Sequence, residues 1–230
     1  MTISHNWSQV VSTATAYLSD IDPFMAHAVE RVGPCMLEPN PNVFEALVDA
    51  IISQQISVRA ADAIMARLRA ATRQAHSQST DFAGSLTPQA LLPLDHDALR
   101  AAGLSMSKAR YIRDLTERVS NRQLNLERLT ELDDEAVIAE LIVVKGIGRW
   151  TAEMILIFSL GRTDVLPVDD LGLLEGVREA YGLDKRPTPK EMRERGEIWR
   201  PYRTFGTYYM WGVRRIAMGM IKDRTRIVSL

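Results

Sequence analysis

The sequence VKGIGRWTAEM, residues 144–154, places two glycines on either side of one isoleucine, between two apolar segments. Glycine loses backbone entropy on folding, so such a pair indicates a turn with unusual angles or a backbone that another chain approaches closely. The surrounding pattern is Leu141-x-x-Val144-x-Gly146-Ile147-Gly148-x-x-x-Ala152. It places apolar residues where two flanking helices must pack and a small residue where they cross. The stretch therefore predicts two helices joined by a tight hairpin, over about residues 134–160.

The hairpin also suggests a ligand. The first N–H groups of the second helix have no acceptor within that helix, and they lie at the positive end of its dipole, which suits a phosphate oxygen. The segment is similar to the helix-hairpin-helix motif, which holds a DNA backbone without reading sequence. The alternative from the residues alone is an αα-hairpin whose glycines only close the turn.

Helical periodicity dominates the rest of the chain. Expected helix starts and caps lie at Asp22-Pro23, Ser57, Thr87-Pro88, Asp95, Ser107 and Asp133. No alternating strand of convincing length is found. The sequence predicts an all-α protein of about a dozen helices.

Composition limits the function classes. Cys35 is the only cysteine, which excludes a disulfide framework, a cysteine zinc site and a four-cysteine iron–sulfur cluster. Neither a signal peptide nor a run long enough to span a bilayer is present, so we expect a cytoplasmic protein without a membrane partner. The net charge is −1, but residues 178–226 carry 13 Lys/Arg against 6 Asp/Glu. That basic stretch is either a solvated helical surface or a surface facing a polyanion.

A carboxylate follows the hairpin at a fixed distance. Asp170 lies twenty-two residues after Gly148, in the segment DVLPVDDLGLLEGV. The irregular segment leads into a helix from about Leu171, so Asp170 would lie at a helix N-terminus. For an isolated aspartate, the simplest role there is an N-cap.

Hairpin, spacer and Pro-x-x-Asp-Leu-Gly together resemble the helix-hairpin-helix–Gly/Pro…Asp superfamily of DNA glycosylases, and within it the 3-methyladenine DNA glycosylase II family. Three further segments agree in the same order: AIISQQIS, GLSMSKARYIRDL and WRPYRTFGTYYMWG. The resemblance covers roughly residues 43–211. It implies two helical lobes flanking a DNA-binding cleft, one formed by residues 1–52 with 171–230 and the other by residues 53–170.

The resemblance also implies an activity, the excision of alkylated purines of the 3-methyladenine type from duplex DNA. Asp170 would be the catalytic carboxylate, with Asp169 as the less favoured choice. Trp150 and Trp211 match lesion-pocket positions, although either could be a core residue. Met154 stands where one branch of the family has an aromatic residue, which puts strict selectivity in doubt. Gln54 is a candidate for the pocket wall, or simply a helix end.

Further roles follow from the same resemblance. Met106 would be the apolar wedge that fills the vacated base position. The residues expected to contact DNA phosphates are Ser107, Lys108, Lys145, Gly146, Gly148 and Thr151. Members that also nick the backbone have a nucleophilic lysine at the position of Trp150, so a monofunctional, hydrolytic enzyme is expected.

The expected partner is double-stranded DNA, bound by a monomer that requires no cofactor. In the family, a structural Na⁺ or K⁺ is often held by main-chain carbonyls that correspond to those of Ile142, Val144 and Ile147. The competing function is a non-enzymatic DNA-damage-binding protein of the same fold. Asp170 favours the enzyme, because a pure binder has no need of a carboxylate near a phosphate-rich surface.

Overall fold

The computed structural model describes residues 4–75 and 85–225. Within these ranges the chain forms α-helices and two short 3-10 turns, Glu127–Glu131 and Glu197–Trp199, and no strand. The helices are α1 (Ser4–Ile21), α2 (Pro23–Val32), α3 (Val43–Ser53), α4 (Val58–Ala75), α5 (Pro88–Leu91), α6 (His96–Ala101), α7 (Met106–Ser120), α8 (Asp134–Leu141), α9 (Arg149–Phe158), α10 (Leu171–Ala180), α11 (Pro189–Gly196) and α12 (Arg203–Ala217). The all-α prediction is confirmed. None of these helices is both long and apolar enough to cross a membrane.

The chain divides into two compact units, one of Met1–Pro39 with Gly161–Leu230 and the other of Asn40–Leu160. We call them the terminal unit and the central unit. The boundaries expected from the sequence lay at residues 52 and 170 instead. The first difference arises because α3 packs against α4, α7 and α9, all of which belong to the central unit.

In the terminal unit, α12 packs against α10, α2 and α1. It approaches the backbone of α10 tightly at Gly176, where an added Cβ would lie 2.0 Å from the carbonyl oxygen of Met210. A side chain at this position would therefore separate the two helices. The core around α12 contains the fully buried rings of Trp199, Phe205 and Tyr209.

A buried carboxylate also stabilises the terminal unit. Asp22 caps α2 by accepting a hydrogen bond from the Phe24 N–H at 2.9 Å, and it accepts further hydrogen bonds from the Tyr181 hydroxyl and the Trp199 indole. Burial, reinforced by the Asp22 contact, raises the pKa of the Tyr181 hydroxyl well above its usual value. Because every partner donates to it, this carboxylate ties α2 to the end of α10 and to the turn that precedes α12.

The helix starts of the central unit follow the local signals closely. The side chains of Ser57, Thr87, Asp95 and Asp133 each accept a hydrogen bond from a main-chain N–H of the helix that follows. The expected start at Ser107 is wrong. Helix α7 begins at Met106, and Ser105 is its cap, accepting from the Lys108 N–H at 3.3 Å.

Candidate functional site

The hairpin lies between α8 and α9 in the central unit. The Val144 N–H donates to the Leu141 carbonyl at 3.1 Å, and the Ile147 N–H donates to the Val144 carbonyl at 3.1 Å. Leu141, Val144, Ile147 and Ala152 are all buried. The apolar pattern of the sequence therefore packs the two helices as predicted, and the helix-hairpin-helix is confirmed.

The two glycines of the hairpin serve different needs. Gly146 has φ +86°, and an added Cβ would lie 2.3 Å from the Tyr111 ring, so the fold itself requires glycine there. Gly148 has φ −100°, an angle open to any residue, and an added Cβ would have no described atom within 4 Å outside its chain neighbours. Position 148 is the N-cap of α9, where Ser, Thr, Asp and Asn are accepted as well as Gly, so the fold does not require glycine there. A close approach by another chain would favour glycine over these alternatives.

Gly148 is also the N-cap residue of α9, and no side chain of the described residues caps this helix. The first N–H groups of a helix have no acceptor within it. The Thr151 side chain is buried, so any contact that Thr151 makes with DNA falls to its main chain. The start of α9 therefore has no side-chain cap among the described residues, and its main-chain grip on a phosphate stays a prediction.

One side chain holds the hairpin directly, and a second holds the segment from which the first extends. The Gln54 amide, at the end of α3, donates to the Gly146 carbonyl at 2.8 Å. The Lys108 ammonium group donates to the carbonyls of Ile52 and Gln54, at 2.7 and 2.6 Å. A chain of contacts thus runs from the first turn of α7 through the end of α3 to the hairpin.

These contacts correct two of the expected roles. Lys108 was expected to neutralise a phosphate, but its ammonium group is directed at the end of α3, and burial lowers its pKa. Gln54 was expected in the pocket wall, but its amide is committed to the hairpin. The acceptors of Lys108 and of Gln54 are all more than fifty residues away in sequence, so no local pattern identified them.

The beginning of α7 remains open to solvent. Met106 is the first residue of the helix and is 51% exposed, an uncommon position for a large apolar side chain. It is therefore available for the predicted wedge. Ser107 is exposed as well, but the capping role expected of it belongs to Ser105.

The pocket candidates of the central unit lie along α9. Trp150, in its first turn, is 50% exposed. Met154, one turn later, lines a cavity of about 530 Å³ together with Phe158 and the carboxylates of Asp49 and Asp62. Burial raises the pKa of Asp49. The Glu45–Arg69 ion pair also lines the cavity, so its three carboxylates exceed its one guanidinium by two, which favours a small, positive ligand.

The carboxylate of Asp170 lies in the terminal unit, as the N-cap of α10. Its Oδ1 accepts hydrogen bonds from the Leu173 N–H at 2.6 Å and from the Trp211 indole N–H at 2.7 Å. Asp170 is 9% exposed, whereas Asp169 is exposed to solvent. Two donors on different helices therefore fix the direction of the Asp170 carboxylate, and its burial sets it apart from its neighbour.

Gly172 makes this arrangement possible. An added Cβ at Gly172 would lie 3.1 Å from the Trp211 ring and 3.2 Å from the Asp170 carboxylate. Contacts that short are tighter than a side chain normally accepts. This role was not predicted from the sequence, although a signal was present, because Gly172 and Gly176 are four residues apart and share one face of α10.

Trp211 therefore has a defined function in the terminal unit. It is partly exposed rather than buried, and its indole N–H is used to hold the carboxylate. This contact makes it a positioning residue for Asp170, a role that its assignment to the pocket did not include. Trp150 and Met154 belong to the other unit.

About half of the described Lys and Arg side chains of the basic stretch pair with carboxylates. Arg200 and Arg203 bind Asp164, at 2.7 and 2.8 Å, and Arg214 binds Glu179 at 2.5 Å. Arg226 lies outside the described residues. Because these arginines stabilise the terminal unit internally, their number overstates the charge that is available to a polyanion.

No group of three or more His, Cys, Asp or Glu side chains that could hold a metal ion occurs in the described residues. The monovalent cation expected in the hairpin would instead use main-chain oxygens. The Val144 carbonyl already accepts one hydrogen bond and retains a second lone pair, whereas the Gly146 carbonyl is used by Gln54. The carbonyls of Ile142, Val144 and Ile147 are compatible with such an ion in their donor chemistry.

A helix-hairpin-helix, followed by a buried and oriented aspartate, defines a class of DNA repair enzymes. The sequence profile of the HhH-GPD superfamily of base excision DNA repair proteins matches residues 48–201. The chain is 34% identical over 213 residues to DNA-3-methyladenine glycosylase 1 of Schizosaccharomyces pombe, in a match that covers 90% of this chain and 89% of that protein.

Solved structures agree. The crystal structure of DNA-3-methyladenine glycosidase from Bacillus halodurans superposes with a TM-score of 0.76 and 33% identity, covering 96% of this chain and 95% of that one. The Schizosaccharomyces pombe 3-methyladenine DNA glycosylase Mag1, in complex with abasic DNA, gives a TM-score of 0.72 and 32% identity, covering 92% and 100%. The chain belongs to the HhH-GPD superfamily of base excision DNA repair proteins, and the family predicted from the sequence is confirmed.

Proposed function

We propose that this protein is a monofunctional DNA glycosylase that hydrolyses the bond between an alkylated purine, of the 3-methyladenine type, and its deoxyribose in duplex DNA. The observation that carries the proposal is the Asp170 carboxylate, which is buried, aimed by two N–H donors and placed at the spacing from the hairpin that the family uses. Relatives named 3-methyladenine DNA glycosylases support the substrate class.

The reaction needs little acid catalysis from the protein. Alkylation at a purine ring nitrogen makes the base cationic and already a good leaving group. As the bond to C1′ breaks, positive charge develops on the sugar, and the Asp170 carboxylate stabilises that charge or orients the attacking water. Water supplies the new C1′ oxygen, and the products are the free base and an abasic site. No cofactor is needed for this hydrolysis.

The monofunctional assignment is supported by Trp150. An enzyme that also nicks the backbone needs an amine that forms a Schiff base with the sugar. The family position for that amine carries an indole here. The nearby Lys145 projects from the hairpin turn, where its main-chain N–H donates to Asp114 at 3.1 Å, and we assign its side chain to phosphate rather than to the sugar.

The proposal also assigns residues that contact the flipped base and groups that bind the DNA phosphate. In the central unit, Trp150 would stack on the flipped base and Met154 would accommodate it, with Met106 filling the vacated position. In the terminal unit, Trp211 is kept as a residue that acts beside Asp170. The main-chain N–H groups from Gly148 onward would hold a phosphate, and a Na⁺ or K⁺ on the Ile142, Val144 and Ile147 carbonyls would stiffen that turn. We propose that a monomer acts on the DNA, in the cytoplasm and at the nucleoid if the source is bacterial.

The decisive experiment is incubation of the protein with alkylated duplex DNA and identification of the released bases by mass spectrometry. Release of 3-methyladenine by the wild type, and its loss in Asp170→Asn, is expected. Borohydride should trap no covalent adduct, and strands should break only after alkali. If wild-type protein binds abasic DNA but releases no base from any alkylated duplex, the protein is instead a non-enzymatic damage-binding protein.

A further inference from the structure

An open cavity of about 600 Å³ lies beside the hairpin turn, entirely within the central unit. Its walls come mainly from α7, with Arg110, Tyr111, Arg113 and Asp114, and Lys145 of the hairpin turn closes one side. It shares no lining residue with the cavity that Met154 lines. Of its lining residues, only Lys145 has been given a function so far, contact with a phosphate.

The charges of this cavity are unequally compensated. The Asp114 carboxylate pairs with Arg118 at 3.0 Å and accepts the Lys145 N–H at 3.1 Å. Arg113, in turn, pairs with Glu117 at 2.8 Å. These contacts satisfy both carboxylates of the cavity.

Two cations are left without such a partner. Neither the Arg110 guanidinium nor the Lys145 ammonium group has a carboxylate within 4.0 Å in the described parts of the chain. Arg110 and Lys145 are both exposed. The cavity therefore presents two uncompensated positive charges, a combination that attracts an anion.

The position of the cavity identifies the anion. Lys145 and Gly148 are three residues apart, so their Cα atoms lie at most about 11 Å from each other. The Tyr111 ring, which forms a wall of the cavity, also packs directly against Gly146. Each DNA strand carries roughly one phosphate per 3.4 Å of helix axis, so a strand held at Gly148 presents neighbouring phosphates within that span.

We propose that this cavity binds a second backbone phosphate of the DNA, adjacent to the one held by the hairpin, through Arg110 and Lys145. The inference rests on the proposed function only in taking DNA as the ligand. The hairpin offers main-chain N–H groups and fixes one phosphate, whereas the cavity offers two charged side chains and fixes the direction in which the strand leaves it.

The first test is the salt dependence of binding. The double variant Arg110→Gln/Lys145→Gln should bind an abasic-site duplex several-fold more weakly at low salt, measured by fluorescence anisotropy. The slope of log Kd against log salt concentration should fall by about 0.9, because one phosphate is no longer neutralised. Arg128→Gln is the matched control, because Arg128 is an exposed arginine of the same unit that does not line the cavity, and its slope should equal that of the wild type. Equal slopes for all three proteins would refute the inference.

A second test locates the phosphate. Single phosphates of the duplex are replaced in turn by neutral methylphosphonates, and affinities of wild type, double variant and Gly148→Val are compared as double-mutant cycles. Replacement at one position next to the phosphate that couples to Gly148 should weaken binding by the wild type and leave binding by the double variant unaffected. The inference is refuted if a neutralised phosphate couples to Gly148→Val but no neutralised phosphate couples to the double variant. Base release by the wild type distinguishes this inference from the proposed function. If the wild type excises bases but no phosphate couples to the double variant, only the second phosphate site is refuted. If a phosphate couples to the double variant but no base is released, only the glycosylase activity is refuted.

Discussion

The Trp211 indole N–H donates a 2.7 Å hydrogen bond to Oδ1 of Asp170, the same oxygen that accepts the Leu173 N–H. One oxygen of the carboxylate is thus held by both α10 and α12. A side chain that merely capped α10 would need only the Leu173 contact. The additional donor, and the glycine that lets it approach, indicate a carboxylate whose direction matters.

Asp170→Asn should reduce the single-turnover rate of base release by about 100-fold or more, because the charge that stabilises the transition state is removed. The amide retains the size of the side chain and an oxygen for the cap. Affinity for an uncleavable abasic-site duplex should hold or increase, since a negative group is removed. Asp169→Asn is the control and should retain most activity. Inactivity of Asp169→Asn alone would mean that the neighbouring aspartate is the catalytic one.

Trp211→Phe should keep an aromatic ring and remove the indole donor together with the second ring. We expect the rate of base release to fall roughly 10-fold, the effect of losing one hydrogen bond to a charged group, with KM little changed. A residue that only stacked on the base would show the reverse, with KM raised and kcat retained. Gly172→Ala should lower kcat in the same way, because its Cβ crowds both Trp211 and Asp170.

Substitution of Gly146 should mainly lower the stability of the protein, whereas substitution of Gly148 should mainly weaken DNA binding. Gly146→Ala should lower the free energy of unfolding by about 1–3 kcal/mol, because a Cβ there meets both the positive φ and the Tyr111 ring. Gly148→Val should cost about 1 kcal/mol or less as a poorer cap, yet weaken binding to all duplexes about 10-fold. Urea unfolding and anisotropy titrations measure the two effects. A Gly148→Val protein that is folded and binds DNA normally would contradict the assigned grip.

Gln54→Leu should leave the hairpin without its brace at the Gly146 carbonyl. DNA affinity should fall several-fold, roughly the effect of one hydrogen bond, while the single-turnover rate on saturating DNA stays near that of the wild type. Gln123→Leu makes the same change at an exposed position of the same unit and should have no effect. If Gln54→Leu instead slows excision at unchanged affinity, then Gln54 acts on the base, as expected from the sequence.

The pH dependence of Cys35 alkylation tests whether the Cys35 thiol is buried in the terminal unit. Burial raises the pKa of its thiol from 9.0 to about 11. Because the thiolate is the reactive form, alkylation by iodoacetamide at pH 8 should be about 100-fold slower than for a free thiol, and it should accelerate about tenfold per pH unit up to pH 11. Mass spectrometry of native and urea-unfolded protein provides the comparison. Equal rates in the two states would show that the Cys35 thiol is not buried.

Local signals in the sequence were sufficient for the helices and for the hairpin. Capping side chains act within three residues, so Asp95 and Asp133 could be identified from their neighbours alone. The error at Ser107 has the same origin. Ser105 and Ser107 are both plausible caps, and only the structure shows that the chain is already helical at Met106.

The sequence identified candidate residues for the site, whose roles stay predictions, but it did not identify the contacts these residues make. The spacing from Gly148 to Asp170 and the family pattern located the carboxylate. Asp170 and its partner Trp211 are 41 residues apart in sequence, and Gln54 and its partner Gly146 are 92 residues apart. Which donor reaches which acceptor over such separations depends on how the helices pack, and side-chain type alone does not determine that packing. Lys108 illustrates this best, because its ammonium group caps a helix more than fifty residues away.

The order in which the two units can form follows from their arrangement along the chain. Residues 40–160 form the central unit without interruption, whereas α1 and α2 pack on α12, which lies beyond it. On the ribosome, the central unit is therefore complete while its N-terminal neighbours still lack their partner. At about 5–20 residues per second, the 57 residues from Gly161 to the end of α12 at Ala217 take roughly 3–11 s to synthesise. During that interval α1 and α2 can pack on each other, but the apolar residues that face α12 stay exposed, so a chaperone could bind them at this stage of biosynthesis.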